Sequence, residues 1–215
     1  MLTAIITEAT APLPRDVMGP LVEPHAARLS QVLLEALTAF NRAADSSPAE
    51  FAQLGAAARG LLVADFVREP ALRIFGGVWD AEVDLRHGYP WVSLNGGRIQ
   101  IRFRKLGRDL SLSPSDSARS KMLSFHLGEP CLPGLEPATV LTAGYVLDET
   151  GIKPERLALV CHVGTVLHYA MDLPMIGAVQ PAPEQIPVFP LSAPLIRSAQ
   201  GAAKLRLPGL QGGSQ

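Results

Sequence analysis

Apolar positions recur at helical spacing from Pro24 to about Ala44, where Leu29, Val32, Leu33, Ala36, Leu37 and Phe40 draw one stripe along an Ala- and Leu-rich segment. That stripe predicts an amphipathic helix. Residues 1–22 before it read as an irregular arm, because Pro12, Pro14 and Pro20 interrupt helical hydrogen bonding. A second helix is marked at its start by Ser47-Pro48-Ala49-Glu50, which offers a cap, a proline at the first helical position and a glutamate three residues after the cap. Phe51, Leu54, Ala58, Leu61 and Leu62 give it an apolar stripe, and Pro70 is expected to end or break it. The two helices predict a hairpin whose stripes need a surface to cover.

The period then changes from helical to alternating. Trp79–Leu85 reads as a short strand, Tyr89–Leu94 as a second, and Asn95-Gly96-Gly97 as a tight turn, since these residues accept positive φ at low cost. Arg98 to Leu106 alternates polar and apolar side chains throughout, so successive residues point to opposite faces of a sheet. Arg98, Gln100, Arg102 and Arg104 fall on one face and Ile99, Ile101 and Phe103 on the other. Gly107-Arg108-Asp109 predicts a connection into a further short strand at Leu110–Ser113, completing an antiparallel meander with one solvated face.

Ser115 or Asp116 caps an expected helix that carries Met122, Leu123, Phe125 and Leu127 and closes at Gly128. A stiff proline-rich connection follows through Pro137. Three more strands are predicted at Thr139–Leu147, Arg156–Val163 and Val166–Leu173, turned by Asp148-Glu149-Thr150-Gly151 and Gly164-Thr165. From Pro174 onward repeated prolines exclude regular elements, although Ile186, Val188, Phe189 and Leu191 supply apolar anchors. The expected fold is therefore α+β in the order ααβββαβββ: an N-terminal helical hairpin packed on antiparallel β-meanders. It occupies residues 23–173, between an N-terminal arm (1–22) and a Pro/Gly-rich C-terminal extension (174–215).

Composition fits one domain of ordinary size, with 47% hydrophobic residues in 215. The net charge of −1 excludes a generally polycationic protein but conceals a local asymmetry. Between Arg98 and Phe125 stand Arg98, Arg102, Arg104, Lys105, Arg108, Arg119 and Lys121, opposed only by Asp109 and Asp116. This concentration points to an anionic partner, nucleic acid or another polyanion. Arg98, Arg102, Arg104 and Lys105 would supply the charge, Arg108, Arg119 and Lys121 the rim, and Trp91 or Tyr89 a stacking surface.

Other chemistry finds less support in the residues. The chain has no Gly-x-Ser-x-Gly elbow, P-loop or Gly-x-Gly-x-x-Gly fingerprint. His126, Cys131, Cys161, His162 and His168 hold metal-binding atoms without recognised ligand spacing, and Cys161 and His162 should face opposite sides of a strand. Neither a metal nor another cofactor is expected. Two cysteines make no disulfide framework, no basic leader precedes a long apolar run, and no stretch approaches the roughly 20 apolar residues of a membrane span. The expected setting is reducing and cytoplasmic.

The order helix, three strands, helix, strand over about residues 49–148 is similar to that of the PD-(D/E)XK nuclease family. That resemblance implies Asp84 as the first metal-holding acid, with an acid-x-lysine on the next strand. Here that strand reads Gln100-Ile101-Arg102 and Phe103-Arg104-Lys105, with no carboxylate, a departure from the family's pattern that favours a degenerate nuclease-like fold that binds over one that cleaves. The sequence thus favours a non-catalytic accessory or regulatory protein. The competing expectation is a protein-interaction or self-assembly module, forming homo-oligomers or docking a protein through Ala43-Ala44, Ala56-Ala57-Ala58 and the Pro-rich extension.

Overall fold

The computed structural model describes residues 12–112, 138–164 and 166–175. Three helices precede six strands: α1 (Arg15–Ser46), α2 (Pro48–Gln53), α3 (Ala56–Phe75), β1 (Ala81–Arg86), β2 (Tyr89–Leu94), β3 (Ile99–Lys105), β4 (Thr139–Leu147), β5 (Pro154–Val163) and β6 (Val166–Asp172). The fold is α+β. The helix expected between β3 and β4, and the extension beyond Met175, lie outside the described residues.

Two helix boundaries differ from expectation, both at prolines. Helix α1 begins at Arg15 and runs through Pro20 and Pro24, where an irregular arm was expected to reach Val22. Both prolines sit on the exposed side of the helix, four residues apart, opposite buried Met18, Val22 and Leu29. There the carbonyls they leave without an amide donor can bind water, which lowers the penalty for proline in a helix. Pro70 likewise does not end α3: it is buried, and the helix continues to Phe75. The break falls instead at Leu54-Gly55, where both residues adopt extended φ and ψ.

The strands form one sheet in sequential order, β1-β2-β3-β4-β5-β6. All neighbours are antiparallel except β3 and β4, which pair in parallel from Ile99↔Thr139 to Lys105↔Tyr145. What the sequence divides into two meanders is thus continuous. Parallel pairing needs a crossover of a dozen residues or more, which the chain between Lys105 and Thr139 provides. His87 and Gly88 take left-handed φ values of 53° and 85° in the two-residue turn between β1 and β2. Asn95, Gly96 and Gly97 do the same before β3, as their residue types require.

Helices α1 and α3 cover one face of the sheet. Leu29, Val32, Leu33, Val63, Val67 and Phe75 pack there with Val92, Leu94, Ile99, Ile101, Leu141, Leu157 and Leu159 from β2 to β5. Each fully buried aliphatic side chain stabilises the fold by roughly 1.5–3 kcal/mol relative to exposure. Two long-range connections tie the chain before α1 to this sheet: the Leu13 amide donates to Thr139 Oγ1 at 2.9 Å, and the Tyr169 hydroxyl donates to the Leu13 carbonyl at 2.9 Å. Buried His25 of α1 bonds Asp80 ahead of β1 at 3.0 Å.

The opposite face is not simply solvated, as the sequence pattern suggests. A second, smaller core of Leu106, Leu110, Val146, Ala158 and Val160 lies on it. No strand forms at Leu110–Ser113 among the described residues. Leu110 instead has a φ of 63°, and Leu112 makes only a single bridge back to Leu106. Asp109 organises this turn by accepting from the Ser111 amide at 3.1 Å and hydroxyl at 2.7 Å. Leu106 then lies directly on Gly144, where a Cβ would stand 2.4 Å from its Cγ. The chain after β3 therefore folds back over the sheet. Among the described residues no helix is long and apolar enough to cross a membrane.

Candidate functional site

The strand register places one row of side chains across the face opposite the helices: Asp84, Trp91, Arg102, Thr142, Val160 and Ala170, one from each strand in turn. The adjoining row toward the β3 C-terminus runs Arg104, Gly144, Ala158 and Asp172. Alternation along β3 thus sets Gln100, Arg102 and Arg104 on this face while Ile99 and Ile101 enter the helix-covered core.

Arg102 is the centre of the site. Only 6% of it is exposed, and its Nε donates to Thr142 Oγ1 at 3.0 Å, a partner placed beside it by the parallel register. Its Nη1 is buried with no hydrogen-bond partner. Burial, and next the charge of Arg104, push its pKa down to about 10, so the guanidinium stays charged at neutral pH. Arg104 is half-buried, and burial lowers its pKa as well. A buried cation bonded to an uncharged hydroxyl costs free energy, because a neutral donor or acceptor repays only part of the lost hydration.

His162 lies on the same face, two residues beyond Val160 on β5, and is also 6% exposed. Neither ring nitrogen has a hydrogen-bond partner. The Leu110 carbonyl faces the ring without closing a bond of normal geometry, and Asp109 lies within electrostatic reach. Burial, then the Arg102 charge, hold the imidazole pKa below its ordinary value. His162 is therefore neutral at and above pH 7.

A polar cluster borders the site on the β1 side. Arg86 stacks 4.9 Å over the Trp91 ring while donating to Gln100 Oε1 at 2.8 Å and Asp84 Oδ2 at 3.1 Å. Trp91 is 4% exposed, so its ring serves as the floor for Arg86 and presents little surface of its own. Tyr89, opposite Arg86, is the more exposed aromatic.

The remaining sequence-derived residues are dispersed. Arg98 is exposed at the entrance to β3. Lys105 is exposed too, but its odd position follows the parity of Ile99 and Ile101 rather than that of Arg102. Arg108 pairs with Glu149 at 3.4 Å on the surface. Arg119 and Lys121 lie outside the described residues. The alanines of the alternative interaction module are divided: Ala56 and Ala57 are exposed, whereas Ala43, Ala44 and Ala58 are partly covered. Asp84 stands on the edge strand bonded to Arg86, and among the described residues no three His, Cys, Asp or Glu side chains gather as a metal would require. Cys161 faces the helix-covered core, opposite His162, and burial raises its thiol pKa to about 11.

Sequence reasoning passed over Thr142 and Arg86, and weighed His162 only as a metal ligand. Arg86 carried a readable signal, since its alternation with Asp84 and Glu82 sets all three on one strand face. Thr142 and His162 carried none, because their proximity to Arg102 depends on the β3–β4 register. No protein-family model, curated protein or solved structure matches this chain.

Proposed function

We propose that the protein binds nucleic acid or a similar polyanion through the sheet face that carries Arg102 and Arg104, and acts as a binding rather than a catalytic component. The observation that supports this reading is Arg102 itself: a buried guanidinium held by a threonine hydroxyl and left with an unpartnered Nη1. An incoming phosphate oxygen supplies the missing acceptor and the missing counter-charge together. Arg104 adds positive potential beside it, and exposed Arg98 extends that potential along the strand.

Fluorescence anisotropy with a labelled single-stranded oligonucleotide, titrated between 50 and 200 mM salt, tests the reading. Binding should weaken steeply with salt, and Arg104→Gln and Arg98→Gln should each reduce the slope of log affinity against log salt by about 1. Arg102→Gln should weaken binding further, because it removes the buried member. Failure of the folded wild-type protein to bind at low salt would overturn the proposal. So would unchanged affinity in all three variants.

A further inference from the structure

Within this face the unpartnered atoms are concentrated rather than scattered. Arg102 Nη1, His162 Nδ1 and His162 Nε2 are all buried and unbonded, on side chains each 6% exposed. The Arg102 Nε bond to Thr142 sets its guanidinium beside β4, and His162 sits on β5 next to that strand, close enough to feel the arginine's charge. Elsewhere in the described residues the other buried unbonded side-chain nitrogen is His25 Nδ1, on a ring whose second nitrogen is already committed to Asp80. His25 is a structural latch. Arg102 and His162 instead leave three buried nitrogens unsatisfied on one sheet face, on strands that flank β4.

The enclosure limits which group can satisfy them. An internal phosphodiester is flanked by a sugar on each side and needs an open groove along the chain direction. Donors each 94% covered do not line an open groove, so a group at the end of a chain suits them better than an internal linkage. A phosphomonoester ends the chain and presents three acceptor oxygens with a charge of about −1.5 to −2 at pH 7. Arg102 supplies one positive charge and two hydrogens at Nη1, and the neutral imidazole supplies one N–H. Both side chains are 6% exposed, and low exposure to water strengthens each of these contacts.

We infer that Arg102 and His162 form a seat for a phosphomonoester, and that the polyanion recognised by this face is a nucleic acid strand engaged at a phosphorylated end. The inference rests on the polyanion reading above and narrows it from backbone contact to end recognition. Asp109 and the Leu110 carbonyl, both facing His162, stabilise its protonated form, so binding of a dianion should also draw a proton onto the ring at mildly acid pH.

The test compares one oligonucleotide sequence with a 5′-phosphate, a 3′-phosphate or hydroxyls at both ends, using inorganic phosphate as a separate probe. One phosphorylated form should bind at least tenfold more tightly than the hydroxyl form. Arg102→Gln should bring the two within about twofold, and His162→Phe, which keeps a planar ring but removes both nitrogens, should narrow the gap severalfold. Inorganic phosphate should raise the melting temperature of the wild type more than that of either variant. Equal affinity for all three oligonucleotides overturns the seat and leaves polyanion binding standing, as does end preference that persists in both variants. If no oligonucleotide binds, the polyanion reading falls. The seat is then judged by phosphate alone and is overturned if the wild type and Arg102→Gln respond alike.

Discussion

The two faces of this sheet bury polar groups in opposite ways. On the helix-covered face the Thr139 and Tyr169 hydroxyls are each used, Thr139 receiving the Leu13 amide and Tyr169 donating to the Leu13 carbonyl, and buried His25 leaves one nitrogen unbonded while the other holds Asp80. On the other face Arg102 and His162 are comparably buried yet keep three nitrogens unbonded. Buried polar groups are bonded in the great majority of folded proteins, so a local cluster of exceptions marks a place where stability has been given up. One face holds the molecule together, and the other holds chemistry that stability alone does not explain.

The contrast breaks most visibly where the stabilising face is cut. Leu159 points into the main core and is fully buried between strands and helices. Leu159→Ala should lower unfolding free energy by about 2–5 kcal/mol, from lost transfer energy and the cavity left behind. Denaturant melts followed by circular dichroism check this. A loss under about 1 kcal/mol would mean that the helix layer is not the main source of stability.

A smaller effect sharpens the comparison at Thr142, which is 2% exposed. Thr142→Val keeps the shape but removes the acceptor from Arg102 Nε, leaving that buried N–H unsatisfied beside the unbonded Nη1. The expected cost is about 1–3 kcal/mol. In an Arg102→Met background the same substitution should cost close to nothing, since the group it strands is gone. Equal costs in the two backgrounds would show that Thr142 matters for packing and not for Arg102.

What the sequence revealed divides along the same line. Alternation from Arg98 to Leu106 correctly separated Ile99 and Ile101 from Gln100, Arg102 and Arg104, because side-chain period is a local property of a strand. Asn95-Gly96-Gly97 announced its turn through left-handed φ values that few other residues accept. The helices were legible by stripe but not by end, since proline on the solvent side of α1 costs less than its general helix-breaking tendency suggests. The site was legible only as charge. Thr142 reaches Arg102 only because β4 pairs in parallel with β3, and the second core on the same face needs Leu106 to settle on Gly144; both are contacts between residues far apart in sequence. Local pattern therefore found Arg102 and called it exposed, whereas tertiary structure buried it.

The gentlest probe of the two faces is pH. His162 is held below its ordinary pKa by burial and by Arg102, so between its unfolded value near 6.5 and its lower folded value the unfolded chain binds more protons than the native one. Stability from this residue is complete above about pH 6.5 and declines as pH falls toward the folded pKa. Melting temperature should accordingly drop on acidification from pH 7 to 5 by more in the wild type than in His162→Phe, with the two curves parallel above pH 7. Cys161, its neighbour in sequence on the opposite face, has a thiol pKa raised to about 11 and adds nothing in that range. Inorganic phosphate should reduce the wild-type drop, because an anion beside the ring favours the proton that burial resists. If His162→Phe shows the same acid sensitivity as the wild type, the imidazole is not carrying the buried polarity assigned to this face, and Arg102 must account for it alone.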